Sequence, residues 1–268
     1  MSFSIEGKTA IVTGAANGVG LAIGKHFVTM GANVMFADMD EEKLKDVISD
    51  FASEDGPVQY FAGDLRKKLT VANLLSATID AFERVDILVN AARQVLLTDP
   101  LDTKDTTVSE LLDQNLMSAL RVTQAVARRM IAQAEEASDD GYAGSIVNLS
   151  SIAARRTHPD LLAYSVSSAA LDQMTRSMAV ALADKRIRVN AVAFGSVMSA
   201  SLKGTLREHD EMREAIVDNT PLQRIAGPSE VADAVQYLAS DASGFVTGQI
   251  ITVDGGRTLV DPTAVSAH

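Results

Sequence analysis

Cysteine is absent from this 268-residue chain, which excludes disulfides and thiolate chemistry and leaves the redox compartment open. Cations are scarce relative to acids: 24 Lys and Arg stand against 35 Asp and Glu, a formal charge of −11. That balance argues against nucleic acid and anionic membrane as main partners. No apolar run approaches the length needed to span a bilayer. Met1 to Lys8 shows no cationic segment followed by an apolar one, so no signal peptide is read and cytoplasm is the expected location. Internal repeats, low-complexity tracts and linkers are also missing, so residues 1–268 read as a single α/β domain. No metal site is expected.

What is present begins with Thr13-Gly14-Ala15-Ala16-Asn17-Gly18-Val19-Gly20. The apolar run Ala10 to Val12 precedes it as a short buried strand, and Leu21 to Val28 follows with apolar positions at helical spacing. A strand that breaks at glycines and resumes as a helix aims free N–H groups, and the positive end of the helix dipole, into one crevice. Such a crevice suits a phosphate or pyrophosphate. The spacing is G-x-x-x-G-x-G, so on its own the motif is also compatible with a plain strand–turn–helix connection.

Strand-like and helix-like segments then alternate to the end. Strands are expected at 33–37, 57–61, 86–90, 145–149, 187–194 and 249–253, with helices after Asp38 to Glu42 and at about 70–83, 107–136, 161–183 and 229–239. Ser138 to Gly141 reads as a polar break. Residues 196–228 are the one long irregular stretch, read as an insertion at the substrate edge. Apolar strands separated by helices imply a parallel sheet covered on both faces. Ligands on such sheets sit at the carboxyl ends of the strands, where Gly14, Asp38, Asp64, Asn90, Ser151 and Gly195 fall.

Asp38 ends the second strand, 18 residues beyond Gly20. An acid there accepts the ribose hydroxyls of an adenine dinucleotide and repels a phosphorylated ribose, and neither Ala15 nor Met39 supplies a compensating charge. The expected cofactor is therefore NAD. Asp64 is read either as an acceptor for an adenine amino group or as a capping residue.

Ser151 follows the fifth strand and Tyr164 lies early in the next helix. With these two residues, the glycine loop, Asp64, Asn90-Ala91-Ala92, Asn115, and Val189-Asn190-Ala191-Val192 leading to Gly195, nearly the whole chain resembles the short-chain dehydrogenase/reductase family. The resemblance implies a single Rossmann-like, doubly wound parallel sheet of about seven strands with helices on both faces. It also implies a dimer or tetramer, and a small-molecule alcohol or carbonyl substrate. Tyr164 would be the general acid/base, Ser151 would polarise the same substrate oxygen, and Asn115 would support a water relay. Cofactor contacts would come from Gly14, Asn17, Gly18, Val19, Gly20, Asp38, Met39, Asp64, Leu65, Asn90, Ala91, Ala92, Tyr164, Gly195 and Val197.

The family pattern breaks where it matters most. A lysine four residues after the tyrosine normally holds the nicotinamide ribose and favours the phenolate; here Ser168 stands there, and no lysine occurs between Lys104 and Lys185. An ordinary tyrosine is only about a thousandth ionised at pH 7, so alcohol oxidation is expected to be attenuated near neutrality. Arg93 stands where the pattern has glycine, Phe194 where it has proline before Gly195, and Ser199 where it has threonine. Arg155, Arg156 and His158 follow Ser151 on a loop; an arginine reaching Tyr164 would replace the missing charge but not a proton relay. Two functional readings follow: an NAD(H)-linked oxidoreductase of a secondary alcohol or ketone, with Tyr164 and Ser151 in attenuated acid/base roles, or a catalytically impaired NAD-binding partner protein.

Overall fold

Runs of aliphatic and β-branched residues without polar alternation become strands buried on both faces. Thr9 to Thr13 shows this; Ile187 to Phe194 is buried along its whole length too, its Arg188 and Asn190 paired by hydrogen bonds to backbone carbonyls and, from Arg188, to Ser243. The computed structural model describes residues 2–49, 51, 56–137, 141–208 and 210–261. Its strands in chain order are β1 (Thr9–Thr13), β2 (Asn33–Asp38), β3 (Val58–Ala62), β4 (Ile87–Asn90), β5 (Gly144–Ser151), β6 (Ile187–Phe194) and β7 (Ile250–Val253). They form one sheet in the order β3-β2-β1-β4-β5-β6-β7, with every neighbouring pair parallel.

The helices are α1 (Gly18–Thr29), α2 (Glu41–Ser49), α3 (Lys68–Phe82), α4 (Thr107–Leu111), α5 (Ser118–Ala137), α6 (Leu162–Leu182), α7 (Ala200–Glu208), α8 (Asp210–Asp218) and α9 (Pro228–Ala239). Adjacent residues on a strand face opposite sides, and two cores result. Val12, Phe36, Val89 and Leu149 pack with Ile23, Phe27 and Val231 of α1 and α9. Ile11, Met35, Leu88 and Ile146 pack with Leu74, Val126 and Ala179 of α3, α5 and α6. A side chain such as Phe36, wholly removed from solvent, contributes about 1.5–3 kcal/mol. This is the doubly wound, Rossmann-like sheet expected from the sequence.

Two expectations need correction. The pattern over 107–136 is not one helix: a π-helical turn, Leu112–Met117, joins α4 to α5. Periodicity counting cannot see a single widened turn, and such turns gather at functional sites. The stretch 196–228 is not irregular throughout, because α7 and α8 lie within it. Each is too short for its period to stand out, and Leu206 is buried while much of the rest faces solvent. The polar break expected at Ser138 to Asp140 lies outside the described residues. Among the described residues no helix is long and apolar enough to cross a membrane.

From β1 the chain winds outward to β2 and β3; from β4 it winds the other way to β5, β6 and β7. The reversal leaves a crevice at the carboxyl ends of β1 and β4, with no helix to fill it.

Candidate active site

Backbone geometry makes the first wall of the crevice. Gly14 has φ +64°, and a Cβ added to it would lie 2.6 Å from Ala92 Cα, so the β1–α1 turn and the loop after β4 meet at a distance only glycine permits. Thr13 Oγ1 accepts hydrogen bonds from the N–H groups of Ala91 and Ala92, both at 3.1 Å, and locks the same junction. Asn17 precedes α1 in extended conformation without a side-chain cap, which leaves the helix N–H groups directed into the crevice.

Asp38 is oriented by the backbone. Its carboxylate accepts from Ala16 N at 3.1 Å, Met39 N at 2.7 Å and Asp40 N at 3.1 Å, which joins the end of β2 to the glycine loop. Asp64 takes a two-pronged ion pair with Arg66, Nε at 2.8 Å and Nη2 at 3.0 Å, and also accepts from Arg66 N. That guanidinium holds the Asp64 carboxyl below the usual carboxylate range. Asp64 therefore closes its own turn, while the residue preceding α3 is Lys67.

The crevice opens into a cleft of about 730 Å³, within the range of small-molecule sites. Gly14, Asn17, Gly18, Val19, Gly20, Asp38, Met39, Asp64, Leu65, Ala91, Ala92, Gly195 and Val197 all line it. Asn90 and Tyr164 do not. They face a second cavity of about 10 Å³, together with Arg93, Asn115 and Ser168, which has room for about one water. The Asn90 side chain is committed to the interior: it donates to Thr123 Oγ1 at 3.0 Å and to Asn148 Oδ1 at 2.8 Å, and Asn148 donates to Thr175 Oγ1 at 2.8 Å. This chain of buried amides and hydroxyls ties β4 and β5 to α5 and α6.

Ser151 ends β5, and its Oγ accepts from Ala153 N at 3.1 Å, capping the 3₁₀ turn Ile152–Ala154. Ala153 belongs to the same apolar cluster as Leu111, Ala163 and Tyr164, which sets the Ser151 turn against the start of α6. Tyr164 is the third residue of α6, and Ser168 lies one turn further on the same face, buried against the small cavity. Asn115 occupies the π turn. Its Oδ1 accepts from Gln94 N at 2.8 Å, and its Nδ2 donates to Gln94 O at 2.9 Å and to Ser167 Oγ at 3.2 Å. In this structure it clamps the residue that follows Arg93.

Arg93, read from the sequence only as a departure from the family's glycine, has a partner that the sequence did not assign. Its Nη1 donates to Tyr164 Oη in a short hydrogen bond. Its guanidinium lies 4.2 Å over the Phe194 ring and 5.9 Å from the Tyr164 ring. The cation beside the tyrosine thus comes from the loop after β4. Arg155 and Arg156 turn away, donating to Thr252 Oγ1 at 3.5 Å and to the Thr258 carbonyl, and His158 accepts from Asp160 N. Gln94, Val95, Gln114 and Leu202 also line the cleft. They carried no motif, and only the adjacency of Gln94 to Arg93 and of Gln114 to Asn115 hinted at them.

Comparison with known proteins agrees with the fold. A family model described as enoyl-(acyl carrier protein) reductase matches residues 14–258. The 3-oxoacyl-[acyl-carrier-protein] reductase of Thermotoga maritima is 33% identical over 95% of this chain and 99% of its own. A 7alpha-hydroxysteroid dehydrogenase of Clostridium sardiniense is 33% identical over 96% of each chain. Among solved structures, a 7alpha-hydroxysteroid dehydrogenase complexed with NADH and 7-oxo glycochenodeoxycholic acid superposes with a TM-score of 0.86 at 30% identity, covering 95% of each chain.

Proposed function

The chain belongs to the short-chain dehydrogenase/reductase family of oxidoreductases, and on that premise we propose that it interconverts a secondary alcohol and a ketone with NAD(H). The observation that carries the reading is the charge placed on Tyr164. Ser168 leaves no ammonium beside the phenol, yet the Arg93 guanidinium is hydrogen-bonded to its oxygen.

The cleft residues fit a nicotinamide dinucleotide. The Gly14 turn and the α1 N-terminus would hold the pyrophosphate, and Asp38, already fixed by three N–H groups, would accept the adenosine ribose hydroxyls. Its negative charge favours NAD over NADP. When bound, the cofactor supplies a hydride acceptor or donor. Tyr164 exchanges a proton with the substrate oxygen, and Ser151 donates a hydrogen bond to that oxygen. Arg93 stabilises negative charge as it develops on the tyrosine oxygen. A guanidinium does not release its proton, so Arg93 replaces the electrostatic part of the missing lysine without relaying protons. With no relay to carry the proton away, alcohol oxidation is expected to be the slower direction, while ketone reduction draws its proton from the phenol directly.

The rest of the reading follows the family. One catalytic domain spans 1–268, with 196–228 bordering the substrate, in a cytoplasmic enzyme acting on a small molecule. Exposed Leu162, Val166 and Val180 on α6 support assembly into a homodimer or homotetramer. The rival, an NAD-binding partner without turnover, rests on Ser168 together with the Arg93 and Phe194 departures; the contacts of Arg93 with Tyr164 and Phe194 weigh against it.

The test is NAD reduction across a secondary-alcohol panel, and NADH oxidation with the matching ketones. Turnover above that of Tyr164→Phe supports the proposal, whereas tight NAD binding with no turnover in either direction favours the partner protein. Asp38→Ala is expected to weaken NAD about tenfold or more and to improve NADP relative to NAD, as followed by calorimetry.

A further inference from the structure

Several cations in this acidic chain answer to a carboxylate: Lys8 to Asp241, Arg66 to Asp64, Arg84 to Asp86, Arg121 to Asp113 and Arg224 to Glu230. Arg93 does not. Its contacts among the described residues are the Tyr164 oxygen and the faces of Tyr164 and Phe194. A guanidinium presents five donors in a rigid fork, and Nη1 alone is spent on the tyrosine. Stacking on Phe194 holds the fork in one plane against the wall of the 730 Å³ cleft.

The charges along the cleft are also sorted. Asp38, with Asp64 neutralised by Arg66, lies at the end bordered by β2 and β3. Arg93 lies at the other end, beside the reacting tyrosine. The pyrophosphate of a dinucleotide belongs to the glycine loop and the start of α1, and a ribose phosphate would meet Asp38. An anion that answers Arg93 is therefore carried by the molecule whose oxygen faces Tyr164.

We propose that Arg93 binds a substrate carboxylate, and that the substrates are 2- or 3-hydroxy acids and the corresponding oxo acids. This deepens the oxidoreductase reading and rests on it. The spacing comes from the contact itself. Arg93 Nη1 and Tyr164 Oη are hydrogen-bond neighbours, so the two substrate oxygens that meet them are held about 3 Å from their respective donors and close to each other. A carboxylate attached directly to the reacting carbon, or separated from it by one carbon, satisfies this; a long aliphatic spacer does not. The carboxylate makes and breaks no bond. It orients the reacting carbon, a role to which a planar fork is better suited than a point charge.

The test uses matched pairs, 2-hydroxybutyrate and 3-hydroxybutyrate, each against its own methyl ester, with NAD and purified protein. A charge-assisted pair predicts that kcat/KM for at least one acid exceeds that of its ester by about 10- to 100-fold. Arg93→Gln brings the ratio close to 1, and Arg93→Lys restores part of it; NAD binding and the melting temperature of each variant report that it folds. Equal rates on acid and ester in the unmodified protein, or a ratio that survives Arg93→Gln, overturns the assignment. A second readout separates this inference from the oxidoreductase reading: malonate is titrated into the NAD-saturated protein by calorimetry. Malonate binding that Arg93→Gln abolishes supports the anion site even where no alcohol turns over. No malonate binding, or binding that is indifferent to Arg93→Gln, overturns it.

Discussion

A lysine placed at position 168 alone is expected to damage this protein. Ser168 borders a cavity of about 10 Å³, enough for one water, and Ser168→Lys replaces a hydroxyl with a long stem and an ammonium. Overpacking of this kind costs about 1–3 kcal/mol. The new cation also shares that cavity with Arg93. Two like charges on the order of 5–6 Å apart at an effective dielectric of about 20 repel by roughly 3 kcal/mol, less whatever solvent at the exposed Arg93 screens. A net loss of about 3 kcal/mol lowers the melting temperature by about 6–12 °C for a chain of this size. Arg93→Gly removes the repulsion and opens the space, so in the double variant the two changes offset each other by at least about 1 kcal/mol. Thermal melts and urea titrations of the four proteins measure that coupling, and NAD reduction run alongside is expected to be higher in the double variant than in Ser168→Lys. Should Ser168→Lys alone melt within about 1 °C of the parent, or the coupling be zero, the reasoning that Arg93 occupies the lysine's electrostatic position is refuted.

Two further outcomes concern stability. Asn148→Ala removes the middle of the Asn90–Asn148–Thr175 chain and leaves an Asn90 N–H without its acceptor and Thr175 Oγ1 without its donor, at a cost of about 2–4 kcal/mol in urea denaturation; a change under 0.5 kcal/mol would show that the network is dispensable. Asp172 is buried in α6, and desolvation raises its pKa, opposed by Ser150, Arg155 and Arg176. The folded protein then holds that proton more tightly than the unfolded chain. The charged carboxylate accordingly costs stability as pH rises through the folded pKa, and the cost is absent below the unfolded value of about 4. Asp172→Asn is expected to raise the melting temperature at pH 7.5, with the gain shrinking as the pH is lowered toward 4; a gain independent of pH would rule out ionisation as its cause.

The parts of the site that could be read in advance are local. The Gly14–Gly20 turn, Asp38 at the end of β2 and the spacing of Ser151, Tyr164 and Ser168 depend on backbone preferences and helical period, which neighbouring residues carry. The Asp64–Arg66 pair was within reach too, since two residues of separation suffice for it. What escaped was set by distant partners. Arg155 and Arg156 sit closer in sequence to Tyr164 than Arg93 does, yet they bond to Thr252 and Thr258 near the end of the chain. Nor does any local pattern reveal that Asn115 widens its helix into a π turn to clamp Gln94.

Strand–helix alternation and apolar strands implied a parallel sheet covered on both faces, and the glycine loop with Asp38 and the family resemblance implied the doubly wound order and a dinucleotide crevice. Those features are written in hydrophobic period and backbone freedom, both properties of short segments. The sequence also puts Ser168 four residues after Tyr164, where the family resemblance implies a lysine. Whether the tyrosine keeps a positive neighbour was decided only by tertiary structure. That depends on the topological switch that sets the loop after β4 beside α6, and on Phe194 at the end of β6 providing a surface on which the Arg93 guanidinium can lie. A charge acts through space, and its distance to Tyr164 exists only once the sheet has brought the two together.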